Sequence, residues 1–126
     1  MTINNKSILS QFNREYSIHQ YGEHEEPVVG DDGRVTVING TVQLRNHQPR
    51  LNTPLGSLHT FLCEYMGLKT MDGFPLSLTG SLIATGNPFR DINGFPNVVN
   101  GNVIMNLYPT LRILGILRKQ IGGYIV

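Results

Sequence analysis

Leu68-Lys69-Thr70-Met71-Asp72-Gly73-Phe74-Pro75 returns one 21-residue step later as Phe89-Arg90-Asp91-Ile92-Asn93-Gly94-Phe95-Pro96, and this echo decides how the chain is read. The same step carries Gly80 onto Gly101, Leu82-Ile83-Ala84 onto Val103-Ile104-Met105, and Pro88 onto Pro109. Self-similarity at a fixed step marks an array of stacked units, because one short unit cannot bury its own apolar face and must rest on its neighbours. Continued forward, the step takes Gly94 to Gly115, Gly101 to Gly122, and Val103-Ile104-Met105 to Tyr124-Ile125-Val126. Continued backward, it sets Phe61-Leu62-Cys63 at the strand position, and a shorter, 19-residue step reaches Val42-Gln43-Leu44 behind Gly40.

A second regularity follows each triplet. Leu82-x-Ala84-x-x-Asn87-x-Phe89-x-x-Ile92 has apolar residues where a rung of the form L-x-L-x-x-N-x-L-x-x-L wants them. Phe61, Cys63, Leu68 and Met71 fit the same frame, as do Val103, Met105, Thr110 and Ile113. This is the leucine-rich-repeat pattern, whose units run to about 20–29 residues. Its logic is closure of a coil: alternate triplet residues face the core, the Asn bonds backbone at the bend, and later apolar positions fill the far side. The predicted fold is therefore a leucine-rich-repeat-like solenoid over residues 31–126, built of short parallel β-strands and turns. Residues 1–30 form a helical or extended N-terminal cap, and the whole is a single domain.

The chain resembles the short leucine-rich-repeat proteins of tailed bacteriophages, with repeats of the type L-x-S-L-x-G-x-P-x-x-V-x-G-x-F-x-C. Thr70-Met71-Asp72-Gly73-Phe74-Pro75 and Phe61-Leu62-Cys63 carry the likeness, and Asp31-Asp32-Gly33-Arg34-Val35-Thr36-Val37-Ile38-Asn39-Gly40-Thr41-Val42 is similar to that family's lead-in. It covers residues 30 to 126. The sequence departs from the repeat pattern at the Asn position, kept only as Asn87, with His47, Met66 and Tyr108 in the other rungs. The resemblance implies a phage-encoded scaffold; it brings no activity with it, since function resides in sites and not in folds.

Composition narrows the field. A length of 126 residues suits one small domain, and 14 Gly with 7 Pro predict many short elements joined by turns. A formal charge of +1 gives no global field for duplex DNA or a membrane surface. Cys63, alone of its kind, has no internal disulfide partner. No apolar run approaches the roughly 20 residues of a membrane helix, and no signal sequence is evident. The expected location is cytoplasmic, in the host cytoplasm if the chain is phage-encoded.

In such a coil the middle residue of each triplet points away from the core. That column reads Gln43, Leu62, Ile83, Ile104 and Ile125. Thr41, Thr60, Ser81, Asn102 and Gly123 border it on one side, and Arg45, Glu64, Thr85 and Asn106 on the other. A stripe of Leu62, Ile83, Ile104 and Ile125, rimmed by Gln43, Arg45, Glu64, Thr85 and Asn106, has the make-up of a protein-binding patch. The competing arrangement covers the stripe, or caps the open end, with the N-terminal arm, where Ser7 starts a helix bearing Ile8, Leu9, Phe12 and Tyr16 on one side. The strand Tyr124-Ile125-Val126 is an edge able to pair with a second copy unless residues 110–120, read as helical, shield it.

Chemistry is hard to assemble. His24 among Glu23, Glu25 and Glu26 reads as a solvated acidic loop, since consecutive side chains do not converge on one ion. Asp31-Asp32-Gly33 is too short for a calcium loop and reads as a turn into a hairpin. Cys63 faces the core, and His59 shares its strand face but lies about 13 Å along it, too far to pair. No phosphate loop is present, and the glycines mark repeat bends. Two basic clusters, Arg45 with His47 and Arg50, and Arg112 with Arg118 and Lys119, suit single-stranded nucleic acid poorly without stacking aromatics. The expectation is a non-catalytic protein-interaction module with no cofactor or metal, which inhibits or redirects a host protein as a defence-countering or host-takeover factor. A self-assembling structural protein is the alternative, and a single-stranded nucleic-acid binder ranks third.

Overall fold

The computed structural model describes residues 5–19, 23–105 and 120–125. Helix α1 (Asn5–Glu15) runs directly into β1 (Tyr16–Ile18), and a hairpin follows of β2 (Val28–Val29) and β3 (Val35–Thr36). The turn between them is 31–33, where Gly33 takes a φ of 79°. Then come β4 (Thr41–Leu44), β5 (Ser57–Leu58), β6 (Thr60–Leu62), β7 (Ser77–Leu78), β8 (Leu82–Ile83), β9 (Val98–Val99) and β10 (Val103–Ile104). These make an α/β fold of mostly parallel strands, with no closed barrel.

The larger sheet has the order β1-β4-β6-β8-β10, parallel except for β1. Val42 stands opposite Phe61, Phe61 opposite Leu82, and Leu82 opposite Val103, so the 19- and 21-residue steps of the sequence are the register of the sheet. A second parallel sheet, β5-β7-β9, aligns Leu58, Leu78 and Val99. The inward residues of both sheets are sealed: Val42, Phe61, Leu82, Val103, Leu78 and Val99 are all 0% exposed. Period-two alternation is the cause, since one residue of each pair must face the neighbouring layer. Phe12, Tyr16, Phe61, Phe74 and Phe89 form a continuous run of tilted and edge-on rings, 5.1 to 6.1 Å between centroids, that ties the N-terminal arm to the later turns.

The shared Gly-Phe-Pro core makes tight turns. Phe74 N–H donates to Met71 O and Phe95 N–H to Ile92 O, with φ of 82° at Gly73 and 91° at Gly94. A Cβ on Gly94 would also land on the Met71 carbonyl. Backbone shape and close approach both require glycine there. Arg34 fastens the entry, donating from Nη1 to Leu55 O at 2.7 Å and Phe74 O at 2.9 Å.

Asn87 is the one asparagine kept from the rung pattern, and it is 7% exposed. Its Oδ1 accepts from Met66 N–H and Leu68 N–H, and its Nδ2 donates to Cys63 O and Ala84 O, at 2.7 to 3.1 Å. One side chain thus joins two successive bends.

Three expectations need correction. The last parallel bridges follow a 22-residue step: Val103 bridges Ile125, Val99 bridges Ile121, and Gly123 N–H donates to Gly101 O. A one-residue slip reverses which face a side chain takes. Ile125 therefore aligns with the inward Val103 and packs against the core, and it does not belong to the outward column. Second, α1 already includes Asn5 and Lys6, so Ser7 lies within the helix and does not begin it. Third, Tyr16 belongs to β1, though it still joins Phe12 in the core. The helix expected over residues 110–120 lies almost wholly outside the described residues.

The arm caps the end of the sheet. Tyr16 pairs with Leu44, Ser17 with Gln43 and Ile18 with Val42, antiparallel, so β1 extends the sheet sideways while α1 packs beside β2 and β3. Glu15, 6% exposed, secures it. Its Oε1 accepts from Thr53 N–H at 2.7 Å, and its Oε2 from Asn52 N–H at 2.8 Å and from the Gln48 side-chain amide. The Tyr16 hydroxyl donates to Thr53 O at 2.7 Å, and burial, followed by the adjacent Glu15 carboxylate, pushes its pKa up.

Candidate interaction face

Outward-facing residues of the large sheet follow from its register. Gln43 aligns with Leu62, Leu62 with Ile83, and Ile83 with Ile104. Each is half-buried, whereas the inward neighbours Val42, Phe61, Leu82 and Val103 are sealed. The sheet thus presents a short aliphatic column that keeps part of its surface in solvent. At its upper end Gln43 Oε1 lies 2.6 Å from His19 Nε2, and Ser17 of β1 stands in line beyond it. The arm meets the column end-on at the sheet edge.

The polar border on one side links strand to strand. Thr60 Oγ1 accepts from Ser81 N–H at 3.2 Å, Ser81 Oγ from Asn102 N–H at 2.9 Å, and Asn102 Oδ1 from Tyr124 N–H at 2.8 Å. Each strand thereby satisfies a backbone donor of the next through a short side chain. Thr36 Oγ1 does the same for Ser57 N–H. Sequence reading saw these residues as a polar edge; their partners are backbone groups brought near only by stacking. On the other side Arg45 and Glu64 are exposed and Thr85 is half-buried, while Asn106 lies outside the described residues.

Two exposed aromatics differ from expectation: Tyr124, which the 21-residue step sets on the inward Val103, is 75% exposed, and Tyr65 stands out on its bend. Tyr65 is 63% exposed, sits in the left-handed region at φ 53°, and lays its ring over Gly86. The signal was the repeat itself, since Gly86 stands one 21-residue step later and takes the same left-handed shape with φ 81°. For tyrosine that conformation is costly, for glycine it is not.

His59 and Cys63 do not share a face. His59 lies exposed at the corner between β5 and β6, with Nδ1 3.0 Å from Thr79 Oγ1, and Cys63 is 0% exposed in the core. Burial, with a smaller push from Glu64, raises the Cys63 thiol well above its ordinary pKa. A thiol so held presents little thiolate. Native protein at pH 8 is expected to leave Ellman's reagent unreacted for hours, with one thiol titrating once urea unfolds the chain; rapid native reaction would contradict the core placement. Because the shift is upward, the neutral thiol favours the fold below the free-thiol range of about 8.5, and this contribution is lost as pH rises from there toward the folded-state value.

His24 Nδ1 lies 2.9 Å from Glu25 O. Among the described residues no three His, Cys, Asp or Glu side chains gather as a metal site, and no helix is long and apolar enough to cross a membrane. Arg45, His47 and Arg50 are exposed, and the second basic cluster of Arg112, Arg118 and Lys119 lies outside the described residues. Comparison with models of protein families, with curated proteins and with solved structures returned no match.

Proposed function

We propose that this chain is a leucine-rich-repeat-type solenoid serving as a non-catalytic protein–protein interaction module, docking a protein partner on Leu62, Ile83 and Ile104. The observation that carries the reading is the aligned aliphatic column, half-exposed over a sealed layer and bordered by Gln43, Arg45, Glu64 and Thr85. Support for the solenoid is the parallel pairing of successive coils at the sequence repeat, with turns at each Gly-Phe-Pro. Large aliphatics on a rigid sheet lose little entropy on binding, and a polar margin keeps water from the contact.

The resemblance to short phage leucine-rich-repeat proteins supports a narrower form. The partner is a host protein in the host cytoplasm, and the module inhibits or redirects it by occupying its surface, as an anti-defence or takeover factor would. The test starts with affinity capture from host lysate and continues with the purified partner. Ile83→Asp combined with Ile104→Asp should weaken binding by more than about 100-fold, the scale of losing an interface hot spot. Far-ultraviolet circular dichroism should stay unchanged, because both side chains face outward. Equal affinity of the folded variant and the parent would remove the column as the docking site.

A further inference from the structure

The near-zero net charge conceals a segregation of charge. Where the chain leaves the large sheet, successive bends lie in line: Lys69 N–H donates to Pro49 O and Arg90 N–H to Lys69 O. Exposed Arg45, His47, Arg50, Lys69 and Arg90 collect on this flank, and Arg14 lines the adjoining hollow beside Gln48. The exposed acids of the same bends are Glu64, Asp72 and Asp91; Glu15 is buried and engaged by Gln48, Asn52 and Thr53. Between the first two bends runs a shallow groove lined by His47, Gln48, Pro49, Met66, Gly67 and Lys69. Pro49 and Met66 make part of it apolar, Lys69 and His47 border it, and Arg50 and Arg90 are exposed on the same flank.

The complement lies on the same chain. Glu23, Glu25, Glu26, Asp31 and Asp32 crowd the approach to and turn of the β2–β3 hairpin, and all are exposed. Val28 stands among them at 60% exposure. Among the described residues one ion pair forms, Arg34 with Asp32 at 4.0 Å. The acidic segment and the basic flank therefore do not neutralise each other within one molecule.

We infer that the groove on the basic flank of one molecule receives the acidic 23–32 segment of a second copy, so that the chain self-associates head to tail. Val28 meets Pro49 and Met66, and Glu25 and Glu26 face Lys69 and Arg90. A formal charge of +1 leaves little overall repulsion to oppose such docking. With no Phe, Tyr or Trp in its lining, the groove favours a peptide over stacked bases. The contact is separate from the aliphatic column and stands or falls without it.

Sedimentation velocity of the full chain tests this at about 0.01 M and about 1 M salt, where the Debye lengths are about 30 and 3 Å. At low salt the average mass should climb with concentration above the 14.0 kDa of one chain, and at high salt it should return there. Lys69→Glu with Arg90→Glu should abolish association, and so should Glu25→Lys with Glu26→Lys. An equimolar mixture of the two variants should restore it, because each then offers the sign the other lacks. The inference is overturned if the parent stays at single-chain mass at every concentration, if association ignores salt and both reversals, or if the mixture stays dissociated. Loss of association in Ile83→Asp with Ile104→Asp alone would move the contact to the column. A parent that stays single yet binds an oligouridylate through Lys69 and Arg90 would assign the flank to nucleic acid.

Discussion

Asn87→Ala should lower the stability of the fold by about 4 kcal/mol, read as a drop in the urea midpoint, and no other single polar side chain in the described residues should match it. Truncation leaves four backbone groups without their partner: Met66 N–H, Leu68 N–H, Cys63 O and Ala84 O. Each buried orphan costs about 1–3 kcal/mol, and water entering the small space left at 7% exposure recovers part of that. Since a domain of this size holds about 5–15 kcal/mol in all, the variant should sit close to its unfolding threshold at 37 °C. Asn87→Asp separates hydrogen bonding from volume. It keeps an acceptor for the two N–H groups but sets a carboxylate against two carbonyls. At neutral pH it should fare no better than alanine, and it should regain stability as acid protonates the carboxyl and supplies one donor. A loss under about 1 kcal/mol for both variants would mean that the bends hold their shape without this side chain.

The parallel strand order and its register were legible because the residues that set them have few substitutes. Gly-Phe-Pro returning at a 21-residue step sets the turn, and the alternation around Phe61, Leu82 and Val103 sets which side faces in. The last coil was not legible, for a physical reason. Tyr124-Ile125-Val126 is apolar throughout, so shifting it by one residue leaves an equally apolar pattern, and composition cannot choose. What chooses is the close stacking of Gly123 on Gly101, where a Cβ would fall on Asn102 and on the Gly101 carbonyl. The candidate face follows the same division. The 21-residue period alone aligns Leu62, Ile83 and Ile104, whereas it places Ile125 with them only by a step that the paired glycines break. Thr60, Ser81 and Asn102 were seen as polar but not as bridges, since their partners are N–H groups a full coil away in sequence. The basic flank was hidden for the same reason, because Arg50, Lys69 and Arg90 become neighbours only once the bends stack.

Glu15→Ala should release the N-terminal cap while leaving the parallel coils folded. The carboxylate is buried and accepts from three donors in 48–53, which is how such a charge is tolerated away from water. Hydrogen bonds to a charged group contribute about 1.5–3 kcal/mol each, but Gln48 and Asn52 reach solvent and can find water, so the loss concentrates at Thr53, which is 1% exposed. About 3 kcal/mol follows, and its location matters more than its size. Hydrogen exchange should quicken by roughly 100-fold across residues 5–19 and 48–53, because that free energy bears on opening of the cap alone. Amides of Phe61, Cys63 and Leu82, which donate between the parallel coils, should keep their protection. Glu15→Gln retains one oxygen and turns an amide donor toward another donor, so it should fall between parent and alanine. Equal acceleration at every amide would show instead that cap and coils open as one unit, through the ring contacts from Phe12 and Tyr16 to Phe61. Local opening bears on the sheet as well: without β1 the edge of β4 beside Gln43 would lose its paired neighbour and stand as an open edge.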